Sequence, residues 1–381
     1  MSYTLRPHQQ QGVNVMSSVS KGQLIMPTGS GKTLTMIEDA QQHFNGDSIT
    51  VVVSPRILLT QQLSNEFLEH ITDVSVMHVH SGDTHHFTTT KVEEIFGWCK
   101  YTAGDKLIFT TYHSLHRIQE AYVHIDNIYF DESHNSVRSD FFPAVRHFAT
   151  MGSDRSFFFT ATPKHSSVDE KPGMNNTEVY GNVLLNVSAP TMVSNGYILP
   201  PELCVKVSDQ VTPEPSTHTQ HIINSVTDNE LSRALVCLKS TRQLIGIIST
   251  DLPELLSEMG YDLYYITSAT GAVINGKKVR RDVFFKSLRS HTGKFVLFHV
   301  RILSEGINLS NLDGCVILRT MNVVDTLQTI GRVIRLGEGK RVGKVVLPCY
   351  SKYMKKYPMT LQNIVRDTFI MGKIPVQHIK R

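Results

Sequence analysis

The stretch Met26-Pro-Thr-Gly-Ser-Gly-Lys-Thr33 constrains this 381-residue chain more than any other. It stands between a short apolar run, Gly22–Met26, and a helical pattern that puts Leu34, Ile37, Ala40 or Gln41, and Phe44 near one face. A strand, a glycine-containing turn and a helix in that order predict a βα unit of a parallel sheet. The turn is chemically specific as well. Gly29 and Gly31 let backbone N–H groups close around a phosphate with no Cβ in the way, with Thr28 and Ser30 in the same cradle. Lys32 reaches the β- and γ-phosphates, and the Thr33 hydroxyl can ligate Mg²⁺. Met26 stands where the strict pattern has glycine.

The first half repeats this alternation. Strands are expected at Ile49–Ser54, Val74–Val79, Lys106–Thr111, Ile125–Asp131 and Ser156–Thr162. Helical patterns run from Ile57 to His70 and around Val92–Cys99, Ser114–Ala121 and Phe141–Phe148. Residues 163–220 break the rhythm with Pro163, Pro172, Pro190, Pro200, Pro201, Pro213 and Pro215. We therefore expect a first domain over residues 1–200, a linker over 201–220 and a second domain over 221–381. In the second series, strands are expected at Leu244–Ser249, Leu263–Thr267, Lys294–His299 and Gly314–Leu318, and helices near Asn229–Leu238, Asp282–Leu288 and Val324–Ile334. A last helix near Thr360–Ile370 should pack on that second domain. Strands alternating with helices of this length mean an α/β fold with two mostly parallel sheets.

Several classes are excluded early. No apolar run approaches the roughly 18 residues of a membrane span, and the polar start MSYTLRPHQQQG lacks the order of a signal peptide. Cys99, Cys204, Cys237, Cys315 and Cys349 are scattered and never form a C-x-x-C pair. Reduced thiols in a soluble, intracellular protein are expected, with no cysteine zinc site. Charge is uneven. Residues 1–200 hold 13 Lys and Arg against 19 Asp and Glu, whereas residues 201–381 hold 25 against 15. A basic half suits a polyanion, since each neutralised phosphate releases counterions, but an exposed basic surface gives the same count.

Two further constellations complete a nucleotide chemistry. Ile125-Asp-Asn-Ile-Tyr-Phe-Asp-Glu-Ser-His134 is an apolar run ending in two carboxylates. Asp131 can hold Mg²⁺ and Glu132 can polarise an attacking water, which is what phosphoryl transfer to water requires. In the second half, Gln328-Thr-Ile-Gly-Arg-Val-Ile-Arg335 spaces Gln328, Arg332 and Arg335 at i, i+4 and i+7. On one helix these share a face, and two guanidiniums there can neutralise γ-phosphate charge. Together the three select a nucleoside-triphosphate hydrolase. The histidines in Met77-His-Val-His80 and at 85 and 86 read as a loop beyond a strand. Lys277, Lys278, Arg280 and Arg281 read equally as a phosphate grip or an exposed loop.

In this order the motifs resemble a DExH-type superfamily 2 helicase, most similar to the group of type III restriction motor subunits, phage branch-migration helicases and the repair helicase of the general transcription machinery. Leu5-Arg-Pro-His-Gln9 resembles the adenine-contacting segment, which implies that Arg6 and Gln9 contact the nucleotide, with His8 in place of the usual Tyr. Val53-Ser-Pro-Arg56 and Thr110-Thr-Tyr-His-Ser-Leu115 resemble the strand-contacting motifs Ia and Ib, implying Ser54, Pro55, Arg56, Thr110 and Thr111 as nucleic-acid contacts. Thr160-Ala-Thr162 resembles motif III, which links the nucleotide site to the nucleic-acid track. Leu303-Ser-Glu-Gly-Ile-Asn308 resembles motif V, implying Gly306 at the nucleotide. Gln328–Arg335 resembles motif VI, and Leu244-Ile-Gly-Ile-Ile-Ser249 occupies the place of motif IV without its aromatic. Thr267 and Ser268 would contact the strand from the second domain.

The resemblance implies two tandem RecA-like domains, ATP·Mg²⁺ in the cleft between them, and a nucleic-acid track across both. It implies 3′→5′ translocation with unwinding or branch remodelling. DNA is the favoured polyanion, with RNA as the alternative. A third reading is a clamp that uses ATP to regulate its grip without separating strands.

Overall fold

The computed structural model describes residues 3–168, 170–208, 214–267, 269–300, 312–350 and 356–379. The chain divides into two compact units. Of the described residues, the first unit takes 3–188 and 374–379, and the second takes 189–300 and 312–373 apart from the residues left out above.

The first unit is built on an eight-stranded sheet whose described pairings are all parallel. Its strands are β1 (Lys21–Ile25), β2 (Ile49–Ser54), β3 (Ser75–Val79), β4 (Phe87–Thr88), β5 (Lys106–Thr111), β6 (Ile125–Phe130), β7 (Ser153–Thr160) and β9 (Val183–Asn186), in the order β4-β3-β5-β2-β6-β7-β1-β9. β8 (Lys164–Ser166) lies outside that sheet and pairs with β18 (Gln377–Ile379). β2, β5 and β6 are buried along nearly their whole length because helices cover both faces of a parallel sheet, which is why they read as continuous apolar runs. Aromatic pairs fill the middle: Phe130 stacks on Phe158 at 4.6 Å, and Tyr180 lies tilted against Phe158 at 4.8 Å.

The second unit has its own eight-stranded sheet: β10 (Pro201–Ser208), β11 (Arg233–Cys237), β12 (Tyr261–Thr267), β13 (Gly271–Ile274), β14 (Lys277–Val279), β15 (Lys294–His299), β16 (Gly314–Ile317) and β17 (Gly343–Tyr350). The order is β10-β17-β16-β11-β15-β12-β13-β14, parallel except for the antiparallel β12-β13-β14 end. The two sheets are the expected pair of RecA-like domains.

Three local expectations are corrected. Asn229–Leu238, read as helix, contains the central strand β11, and Leu244–Ser249, read as strand, lies in the helix Thr241–Ile248. A central parallel strand is apolar on both faces, so periodicity cannot separate it from a buried helix. The missed signal was Ser240, whose side chain caps the helix by accepting from the Gln243 amide at 3.2 Å. The linker expected at 201–220 holds β10 and the start of the helix Pro215–Asp228. Pro201 misled because β10 is an edge strand and Pro201 is its first residue, where a missing N–H is tolerated. Finally, the basic cluster lies on a hairpin rather than a loop. Asn275 and Gly276, both at positive φ, turn β13 into β14, which presents Lys277 and Lys278 on an exposed edge.

Candidate active site

Sheet order gathers the first unit's motifs. β6, β7 and β1 are neighbours, so Asp131-Glu132, Thr160-Ala-Thr162 and the glycine loop leave adjacent C-terminal strand ends, where open parallel sheets bind ligands. The Met26 amide donates to the Thr160 carbonyl at 2.9 Å and ties two of these loops together.

The glycine loop needs its glycines. Gly29 has φ 86° and Gly31, the residue capping the helix Lys32–Gln42, has φ 83°. A Cβ at Gly31 would also run into the Gln9 amide. Gln9 is buried, and its Nε2 donates to the Ser30 and Gly31 carbonyls at 3.3 and 3.2 Å while its Oε1 accepts from the Arg6 amide at 2.8 Å. His8 Nε2 lies 2.8 Å from the Ser30 carbonyl. The opening segment thus buttresses the loop from beneath, a role the sequence did not disclose for Gln9. Ser30 Oγ is buried with no hydrogen-bond partner among the described residues, a donor that a phosphate oxygen would satisfy.

Lys32 Nζ stands 3.6 Å from Glu132 Oε1. Glu132 has φ 45°, a left-handed backbone that costs a non-glycine residue about 1 kcal/mol and turns its carboxylate back toward the loop. Asp131 is buried, and burial together with the Glu132 charge holds its carboxyl above the ordinary carboxylate range, with Lys32 opposing. Asp131, Glu132 and the hydroxyl of Thr33 in the adjacent first turn are oxygen donors of the kind a divalent cation takes. Tyr112, inside the motif Ib stretch, donates its hydroxyl to the Asp131 carbonyl at 2.9 Å. His134 Nδ1 lies 3.5 Å from Glu132 Oε2 and 3.1 Å from Thr160 Oγ1, and the Thr162 amide donates to that same Thr160 oxygen at 3.1 Å.

Below the loop a buried ion pair fixes its helix. Arg155 of β7 grips Asp39 through two bonds of 3.0 Å, and Tyr129 of β6 donates to Asp39 at 2.5 Å. Helix and both motif-bearing strands share this one carboxylate. Sequence reading missed it, although Asp39 on an otherwise buried helix face was the available clue.

The expected strand contacts divide. Arg56 is exposed and Pro55 half-exposed, but Ser54, Thr110 and Thr111 are buried. Ser54 Oγ shares a 2.6 Å hydrogen bond with Thr60, Thr110 donates to the Val79 carbonyl at 2.9 Å, and Thr111 bonds Ser114 at 3.3 Å. These hydroxyls shape loops from within. The histidine stretch also turns inward: Gly82 N–H donates to His80 Nδ1 (3.1 Å), His80 Nε2 faces His78 Nδ1 (3.1 Å) and His78 Nε2 faces Ser64 Oγ (3.0 Å).

In the second unit, the helix Val323–Val333 carries Gln328 and Arg332. Arg335 lies beyond its end, a correction to the single-face expectation. Lys340 terminates the helix by donating to the Val333 carbonyl and, at 3.2 Å, to that of Arg335. Arg332 and Arg319 are both buried; Arg319 has Asp325 3.9 Å away. Burial, with Arg332 and Arg319 nearby, pushes the neighbouring His299 down to about 3. Thr267 is buried and bonded to Thr270 at 2.9 Å. Gly306, the rest of the motif V stretch and Ser268 lie outside the described residues.

Residues 2–165 match the family described as "Type III restriction enzyme, res subunit", and residues 217–337 match "Helicase conserved C-terminal domain". The chain belongs to superfamily 2 of the helicases. Within it, the chain is related to the type III restriction motor subunits, and the family uses ATP. Its fold is similar to the ATP-dependent Type ISP restriction-modification enzyme LlaBIII bound to DNA (TM-score 0.72, 18% identity, covering 100% of this chain and 31% of that one). It is also similar to a nuclease-deletion mutant of the Type ISP enzyme LlaGI with a DNA substrate mimic (0.67, 19%, 98% and 30%). A third likeness is a DEAD box protein from the hyperthermophile Methanococcus jannaschii (0.53, 16%, 98% and 93%). The chain spans about a third of the length of the two restriction enzymes. No curated protein matches it by sequence. Among the described residues no helix is long and apolar enough to cross a membrane.

Proposed function

We propose that this chain is a DNA-stimulated ATPase that converts hydrolysis into movement along, or remodelling of, DNA. The observation that carries the reading is the Lys32–Glu132 contact beside buried Asp131, at the strand ends where the glycine loop begins. Backbone N–H groups of the loop and Lys32 would hold the β- and γ-phosphates, and Glu132 would polarise the attacking water. Thr33 and Asp131 would hold Mg²⁺, which supplies charge neutralisation on the phosphates when bound. Gln328, Arg332 and Arg335 are proposed to act on the same nucleotide, as the family resemblance implies, and Arg6, Thr28 and Gly306 to contact it. DNA is preferred because two of the similar structures are restriction enzymes with DNA or a mimic of it. Arg56 and the exposed Lys277–Lys278 edge are the proposed phosphate grips.

The deciding experiment is steady-state ATP hydrolysis without nucleic acid, with single-stranded DNA and with single-stranded RNA, using Glu132→Gln as the blank. Stimulation by DNA alone supports the reading, and stimulation by RNA alone replaces the substrate. No turnover above the blank defeats it. Displacement of a strand from a tailed duplex then separates unwinding from an ATP-regulated clamp.

A further inference from the structure

The first unit does not end where its sheet ends. After the second unit, the chain returns at residue 374, and β18 pairs in parallel with β8, with Gln377 opposite Lys164, His378 opposite His165 and Ile379 opposite Ser166. Ile379 packs against the first unit's core, so the strand is anchored by apolar burial as well as by hydrogen bonds. β8 begins two residues beyond Thr162, the last residue of the Thr-Ala-Thr loop.

Gln377 is the residue that reaches that loop. Its backbone N–H donates to the Pro163 carbonyl at 2.9 Å. Its side-chain Nε2 donates to the Thr162 carbonyl at 3.0 Å, with the Thr162 hydroxyl 3.5 Å away. From there the contacts are continuous. The Thr162 amide donates to Thr160 Oγ1, that oxygen faces His134 Nδ1, His134 faces Glu132, and Glu132 faces Lys32. Thr160 and Thr162 are fully or nearly fully buried, so water cannot replace a lost partner without the loop moving.

We propose that β18, through Gln377, is a positioning element of the ATP site: it holds the Thr-Ala-Thr loop in the register from which Thr160 and His134 orient Glu132. Gln377 touches no reacting atom, so it acts on turnover and not on nucleotide affinity. This rests on the ATPase reading proposed above, and the experiment separates the two failures.

Two variants grade the effect. Gln377→Glu keeps the shape but sets an acceptor against the Thr162 carbonyl. Gln377→Pro also removes the N–H that reaches Pro163. Each is assayed for ATP kcat and KM with saturating single-stranded DNA and for melting temperature, beside wild type and Glu132→Gln. The expected result is a kcat lowered about fivefold or more, further in the proline variant, with KM for ATP within about twofold and melting temperature little changed. Wild-type kcat in both variants overturns the proposal. So does a loss of activity that only tracks a fall in melting temperature and a rise in KM, because that is plain structural support. A wild-type chain with no turnover above the Glu132→Gln blank defeats the ATPase reading itself, and this proposal with it.

Discussion

The C-terminal edges of the two sheets carry opposite kinds of chemistry. In the first unit, Lys32, Asp131 and Glu132 form a mixed acidic and basic group, with Glu132 at positive φ and tied through His134 to Thr160. In the second, Arg332, Arg319 and the neutral His299 are buried together, with Asp325 facing Arg319 only at 3.9 Å. The first edge gathers two carboxylates and a lysine, the second two guanidiniums and an imidazole that burial keeps neutral.

The largest expected effects test the first edge. Lys32→Ala should reduce ATP turnover to the blank, because it removes the charge that meets the phosphates. Glu132→Gln should abolish turnover while filter-binding still detects bound ATP; loss of binding as well would move Glu132 from water activation to phosphate or metal holding. Next in size is the ion pair under the loop. Asp39→Ala removes the counter-charge of the part-buried Arg155, leaving it Asn127 Oδ1 and the Met16 carbonyl, and should destabilise the first unit by about 3 kcal/mol in urea unfolding. All three substitutions should leave the second unit's unfolding transition in place.

The second edge should respond more gently. Arg335→Ala should lower turnover by about tenfold or more with strand binding near normal, and unchanged turnover would remove Arg335 from the reaction. The smallest effect contrasts the two units by pH. Burial pushes His78 of the first unit, and His299 of the second, from the ordinary 6.5 down to about 3. Unfolded chains therefore bind more protons than folded ones between those values. Stability is complete above pH 6.5 and is lost as pH falls toward 3. His78→Gln and His299→Phe should each flatten that loss by on the order of 2 kcal/mol at pH 4, each in its own unit's transition.

Legibility followed locality. The glycine loop, Asp131-Glu132 and Thr160–Thr162 were readable because each motif's chemistry lies within a few consecutive residues bounded by a strand. β2, β5 and β15 could be placed to the residue, since short runs of β-branched, aromatic and other apolar residues between polar or turn residues have few alternatives. What escaped reading depended on which way the fold turns each side chain. Ser54, Thr110, Thr111 and Thr267 look like surface hydroxyls, and only the fold shows them buried and bonded within the protein. The bonds of Gln9 to the Ser30 and Gly31 carbonyls appear only in the fold, because those partners lie 21 and 22 residues away. Arg335 shares a helical face with Gln328 only if the helix continues, and Lys340 stops it first. The exchange of strand and helix around residues 229–249 has a different origin, since fully buried segments of either kind carry the same apolar run.

The returning strand sets an order of assembly. Gln377 and Thr162 are 215 residues apart, so a ribosome releasing about 5–20 residues per second separates them by tens of seconds. During that interval the nascent first unit owns its glycine loop, both carboxylates and all eight strands of its main sheet, but not the brace on its Thr-Ala-Thr loop. Synthesis thereby acts as a timer: the nucleotide-handling half is folded early, and its last fastening waits until the second half has been made.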